Sequence, residues 1–207
     1  MPEEIQEEFV EKIRNADEVA RRCLVLYAII AAGHQGLRGE LIDWLRRENL
    51  WESVSPAEAS FLQSDAPSQK QFVNATWRTE ALAPLLWALG LVPDLLSPTG
   101  LCDVQALRLV MPPLMGSVDE WLTASHLRPD SEIRAANEDI YQIHWRVRNF
   151  QFRNEPTPPG KLPRMPVTDC EPPAESYNAG VVQERHYSLN WLIGYCGQDW
   201  DDITTDT

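Results

Sequence analysis

Seven prolines fall within residues 154–178, NEPTPPGKLPRMPVTDCEPPAESYN. No helix passes through such a stretch, because each proline removes a backbone donor and clashes with the preceding turn. A central strand is equally excluded. The segment therefore reads as an extended connector running over the surface. It divides the chain into a long block before it and one short block after it.

Both blocks carry the 3.6-residue period of amphipathic helices, with no run of apolar/polar alternation and no Asn-Gly or Asp-Gly hairpin turn. The expected fold is all-α, a single compact multi-helix domain over residues 1–207 with the connector before its last helix. An acidic helix is expected at 3–14, with Ile5, Phe9 and Ile13 on one face. A second, capped by Asp17, spans 17–33, and a third 37–48. Ser55, Pro56 and Glu58 form a capping-box start with proline at the first helical position. The most apolar helix covers 68–90 and contains Pro84, with Gly90 as its stop. Short helices are expected at 103–111 and 117–125, a long one at 130–152 and the last at 179–195.

The charge balance narrows the partners. A net charge of −13 repels nucleic-acid phosphates and anionic membrane surfaces alike, so neither is an expected partner. The apolar run CLVLYAIIAA is too short to span a bilayer. The acidic opening lacks the positive start of a secretory leader, so a cytoplasmic location with reduced thiols is expected. Cys23, Cys102, Cys170 and Cys196 form no C-x-x-C pair, and Cys23 and Cys196 read as small core residues.

Polar residues on apolar faces are the candidates for chemistry. Glu80 falls in the stripe Val73, Trp77, Glu80, Pro84, Trp87. A carboxylate there is either a general acid/base or half of a buried Glu–Arg lock. Arg78, two residues away, faces elsewhere, so the cation comes from another helix. Asn137, Tyr141, His144 and Arg148 share one side of the long helix. They form either a pocket, with His144 as base and Arg148 as anion clamp, or a hydrogen-bonded seam. On the last helix His186 shares a face with Val182, Leu189 and Ile193, while Glu184 and Arg185 turn to other sides.

No metal site or cofactor is expected. H-E-x-x-H is missing, and His34, His126, His144 and His186 would have to converge in space. The terminal DWDDITTD is not a calcium loop, since Ile203 takes a ligand position and no glycine follows. Trp200 and Ile203 are expected to dock on the core, with Asp201 or Asp202 capping a helix or pairing with Arg78 or Arg185. No phosphate-binding loop, dinucleotide fingerprint or nucleophile elbow occurs.

The segments WRTEALAPLLWALG (77–90), LCD (101–103), ERHYSLNWL (184–192) and WDDITTDT (200–207) resemble an uncharacterised bacterial family, domain of unknown function 4272. The resemblance runs from about Cys23 to the C-terminus. It implies a bacterial origin and no established activity, and supplies no catalytic residue. Two readings follow. The chain is a non-enzymatic helical domain that binds another protein. Alternatively it is a hydrolase-like enzyme of small molecules, with Glu80, His144, Arg148, Arg185, His186 and Asp201 lining one pocket.

Overall fold

A computed structural model describes residues 11–95, 97–153 and 172–207. Among them there are eight α-helices and no strands. They are α1 (Ala16–Gln35), α2 (Arg38–Arg47), α3 (Pro56–Gln63), α4 (Gln69–Ala88), α5 (Val104–Val110), α6 (Asp119–Ala124), α7 (Asp130–Arg153) and α8 (Ala179–Ile193). The all-α expectation holds. None of these helices is long and apolar enough to cross a membrane.

Local signals set most of the helix starts. Ser55 and Glu58 close a reciprocal capping box on α3, with Pro56 at the first position, as the sequence indicates. Ser68 and Gln71 do the same for α4. The start of α1 differs from expectation. Its cap is Asn15, boxed with Glu18, and Asp17 sits inside the first turn, paired with Arg21 at 2.7 Å. Residues 11–15 are not helical, because that capping box begins the helix afresh. The rest of the expected 3–14 helix lies outside the described residues. So does the connector as far as residue 171. Its end is described: Ala174–Ser176 form one 3-10 turn, and Asn178 caps α8.

The helices stack in the order α1, α4, α8, α7, each packed on the next. α4 is therefore covered on two sides, and every residue from Thr79 to Ala88 is buried. Pro84 is tolerated there although it offers no N–H to the Glu80 carbonyl. α1 approaches α4 closely at Gly33, where an added Cβ would stand 3.1 Å from Ala75 Cβ. The core around this row is one continuous apolar cluster, including Leu24, Trp44, Leu86, Ile133 and Leu189.

The two ends of the described chain are tied to α8. Arg14 N donates to Leu192 O at 2.9 Å, and its side chain donates to the carbonyls of Trp191 and Gln198. Gly194 ends α8 at φ +72°, and a Cβ there would lie 2.5 Å from Lys12 O, so only glycine fits. The helix stops at Ile193, not 195. For that reason Cys196 is exposed in a turn instead of joining the core, whereas Cys23 is fully buried.

The acidic end is a clamp. Trp200 and Ile203 are buried, Tyr187 Oη donates to Trp200 O, and Asn190 Nδ2 donates to Thr204 O at 2.9 Å. Asp201 Oδ2 accepts from Ala57 N at 2.8 Å, so it caps α3. Removing residues 199–207 exposes the sites of two large side chains, each worth about 1.5–3 kcal/mol of burial. The truncated protein is expected to lose about 4 kcal/mol in urea unfolding. An unchanged unfolding midpoint would make the segment dispensable.

Candidate functional site

Three consecutive residues of α8 engage three different partners. Successive side chains on a helix are rotated by about 100°. Glu184, Arg185 and His186 accordingly leave in three directions. Glu184 Oε2 accepts from Arg78 Nη1 of α4 at 3.0 Å. Arg185 donates through Nε and Nη2 to Glu80 Oε2, at 3.2 and 3.0 Å. His186 Nδ1 meets His144 Nδ1 of α7 at 2.8 Å.

Glu80 is only 2% exposed, and so is Arg185. The second carboxylate oxygen, Oε1, accepts from Cys102 N at 2.7 Å. Both oxygens are thus in use, one on a cation and one on the backbone before α5. The Arg partner does come from another helix. The Cys102 thiol, beside Glu80, is pushed up to about 12 by burial and by that carboxylate. It stays protonated at neutral pH and is a poor nucleophile. Burial pushes the Glu184 carboxyl up, against the pull of Arg78.

The two imidazoles meet edge to face, 5.1 Å between centres, with Tyr141 against the other side of His186 at 5.9 Å. A 2.8 Å contact between two Nδ1 atoms requires one ring to donate and the other to accept, so at least the accepting ring is neutral. Burial lowers His144 to about 4, helped by nearby Arg148, and lowers His186 to about 3, helped by His144. Asn137 Nδ2 extends the seam by donating to Asn190 Oδ1 at 2.8 Å. Arg148 is exposed, its guanidinium 5.2 Å from the Phe152 ring centre.

The named candidates are therefore distributed over separate contacts. Glu80 with Arg185, Arg78 with Glu184, and His144 with His186 form three pairs around α8. Asp201 is at the α3 cap, and Asp202 is exposed near it. Among the described residues no group of three or more His, Cys, Asp or Glu could hold a metal ion. His34 and His126 are remote from the imidazole pair in their contacts. His34 lines an apolar cleft beside α1 and α5, and His126 Nε2 faces Gly90.

Several clefts mark the surface of the described residues, one of them, about 380 Å³, between Lys12–Asn15 and Gly194. One of about 640 Å³ lies between the start of α1, residues 52–56 and the C-terminal segment. One of about 560 Å³ lies between Pro93, Asp94, Leu95, Ser97 and Pro98 on one side and α7 on the other, with Arg185 in its wall. A smaller apolar one, about 180 Å³, is lined by Tyr27, Ile30, Leu82, Leu107, Met111 and Leu114 among others. Glu80, His144 and His186 line none of them.

Sequence reasoning missed a second buried ion pair. Arg22 Nη1 donates to both oxygens of Glu58, at 3.0 and 2.8 Å, and Nη2 donates to Ser53 O. In the sequence Glu58 reads as a capping-box residue alone. The signal was the spacing of Arg22, three after Val19 and four before Leu26, both fully buried. Arg22 also lies 4.6 Å from the centre of the Trp200 ring, and Arg14 lies 4.5 Å from that of Trp191. Arg22 Nε and Trp200 Nε1 are buried with no acceptor, each costing about 1–3 kcal/mol.

The imidazole pair gives stability a definite pH dependence. Both folded-state pKa values lie below the ordinary 6.5, so the unfolded chain binds more protons. Stability is full above about pH 6.5 and falls as pH drops towards 4 and then 3, at about 1.4 kcal/mol per pKa unit for each ring. Urea unfolding at pH 7, 5.5 and 4.5 is expected to show this loss. In the His144→Gln/His186→Gln protein the slope between pH 6.5 and 4.5 should fall by nearly two protons. Equal slopes in both proteins would show that the pair does not control the acid sensitivity.

The profile of a family described as Domain of unknown function (DUF4272) matches residues 3–203. No curated protein and no solved structure matches the chain. The match covers almost the whole length and includes all eight helices and the Asp201 cap. The chain belongs to the DUF4272 family of domains of unknown function.

Proposed function

We propose that the protein is a non-enzymatic protein-binding module and that it meets its partner through the edge built on α5. The observation that carries this reading is the exposure of Leu101 at 68% and Leu109 at 87%, with Val104 between them at 43%. Large apolar side chains so exposed within nine residues of chain mark a contact surface more than a solvated one. The apolar cleft beside them would take an anchoring side chain of the partner, as a groove takes an amphipathic helix.

The polar groups support the same reading. An acid/base catalyst needs a group that titrates near the working pH and faces a cleft. The imidazoles are lowered to about 4 and 3, and the Cys102 thiol is raised to about 12. Glu80 is committed on both oxygens. The alternative, a small-molecule hydrolase built on Glu80, His144 and Arg148, asks these groups to be free for substrate.

Glu80→Gln separates the two. As half of a buried pair, its removal is expected to cost about 3–5 kcal/mol, because Arg185 loses its carboxylate. That is a drop of roughly 10 °C or more in Tm for a chain of this size. An unchanged Tm would favour the catalytic alternative. The docking surface is tested by affinity capture from the producing cell with wild type and with Leu101→Glu/Leu109→Glu. A specific partner held by wild type should be lost by the variant, which should melt as wild type does because both side chains are exposed. Equal recovery would refute the α5 surface.

A further inference from the structure

The apolar cleft beside α5 is built as a groove between two helices. On the α1 side Tyr27, Ile30 and His34 line it, spaced three and then four apart. On the other side Val104 and Leu107 of α5 and Met111 just after it repeat that spacing. α4 packs on both α1 and α5 and contributes Leu82. Ile30, Leu82 and Leu107 are buried and form the base. Leu107 is the one buried residue of α5, and Val104, Gln105, Ala106, Arg108 and Leu109 stand exposed. Two ridges at helical spacing over an apolar base receive a third helix, whose own ridge enters between them.

The rim selects the charge of that helix. Tyr27, His34, Gln105 and Arg108 edge the groove, and each carries an N–H or O–H donor. None of these four side chains is engaged in a hydrogen bond or ion pair among the described residues. No Asp or Glu lines the groove. Asp103, the nearest carboxylate along the chain, is turned to the amides of Gln105 and Ala106 as the cap of α5. Arg108 carries a permanent positive charge. The chain as a whole has 31 acidic and 18 basic residues, so most of its surface repels an acidic ligand. At this rim such a ligand meets a cation and three further donors instead. A basic helix would find no carboxylate there.

We infer that the partner docks an acidic amphipathic helix in this groove. Its apolar side chains rest on Ile30, Leu82 and Leu107, and its carboxylates meet Arg108 and the donors of Tyr27, His34 and Gln105. The inference rests on the protein-binding reading of the α5 edge and adds the chemistry of the partner.

The probe is a fluorescein-labelled peptide of four Glu-Leu-Leu-Glu repeats, titrated with the full chain and followed by fluorescence anisotropy. Saturable one-to-one binding is expected. Arg108→Glu should weaken it at least tenfold. The same charge reversal at an exposed arginine on α2, Arg46→Glu, should bind as wild type does. Val104→Gln, which removes apolar surface from the groove without changing charge, should also weaken binding. The three substituted positions are exposed, so the variants should melt as wild type does. No saturable binding, or equal weakening by Arg108→Glu and Arg46→Glu, would overturn the acidic helix. If Val104→Gln weakens binding while Arg108→Glu does not, the groove stands as a docking surface and the acidic partner falls. None of these results decides the capture of a cellular partner through Leu101 and Leu109, so the two claims fail separately.

Discussion

A carboxylate held at 2% exposure must meet a cation, and in this chain the cation is on the last helix. The Glu80–Arg185 pair joins the fourth helix to the eighth and, through Cys102 N, to the segment that begins the fifth. Its neighbours on α8 depend on that placement. Once Arg185 is turned to α4, Glu184 is carried towards Arg78 one step around the helix, and His186 towards α7 on the other side. One rotational setting of α8 therefore satisfies three polar side chains. Sliding the helix by a residue would bury all three without partners, so the pairs specify register even where their net stabilisation is small.

The same reasoning separates what was legible in the sequence from what was not. Periodicity located each described helix to within a few residues, because apolar side chains repeat on the face that packs. Pro56, Gly90 and the Ser55–Glu58 box marked their boundaries for local steric and hydrogen-bonding reasons. The start of α1 was placed two residues late because Asp17 is a good cap in isolation. Asn15 competes successfully since Glu18 returns the bond, a reciprocity that one residue alone does not reveal. Cys196 was assigned to the core because the helical pattern continues past Gly194. The glycine ends the helix, and the close approach of Lys12 that goes with it is not local in sequence.

Pairing is the part that a linear reading leaves open. Glu80 required a cation from another helix, but the chain offers several arginines, and choosing Arg185 needs the packing of α4 on α8. His144 belongs to a polar row on its helix and His186 to an apolar face on another, and nothing local says that the two rings satisfy each other. Arg22 was legible in position and went unread in consequence. Its spacing put it among buried residues, yet its partner was already committed to a helix cap. Glu58 serves both roles because a carboxylate has two oxygens and about four acceptor directions.

The C-terminal segment shows what this economy leaves over. Asp201 is held at the α3 cap and Trp200 is seated between Tyr187 and Trp191, with ring centres 5.0 and 5.4 Å away. Docking brings an indole N–H and a guanidinium N–H into the interior without acceptors, while Asp199 and Asp202 stay exposed, Asp199 in the field of Arg14. What offsets the orphaned donors is the ring itself, since the Arg22 and Arg78 guanidinium groups lie 4.6 and 5.6 Å from its centre and such attraction is strongest at an indole face.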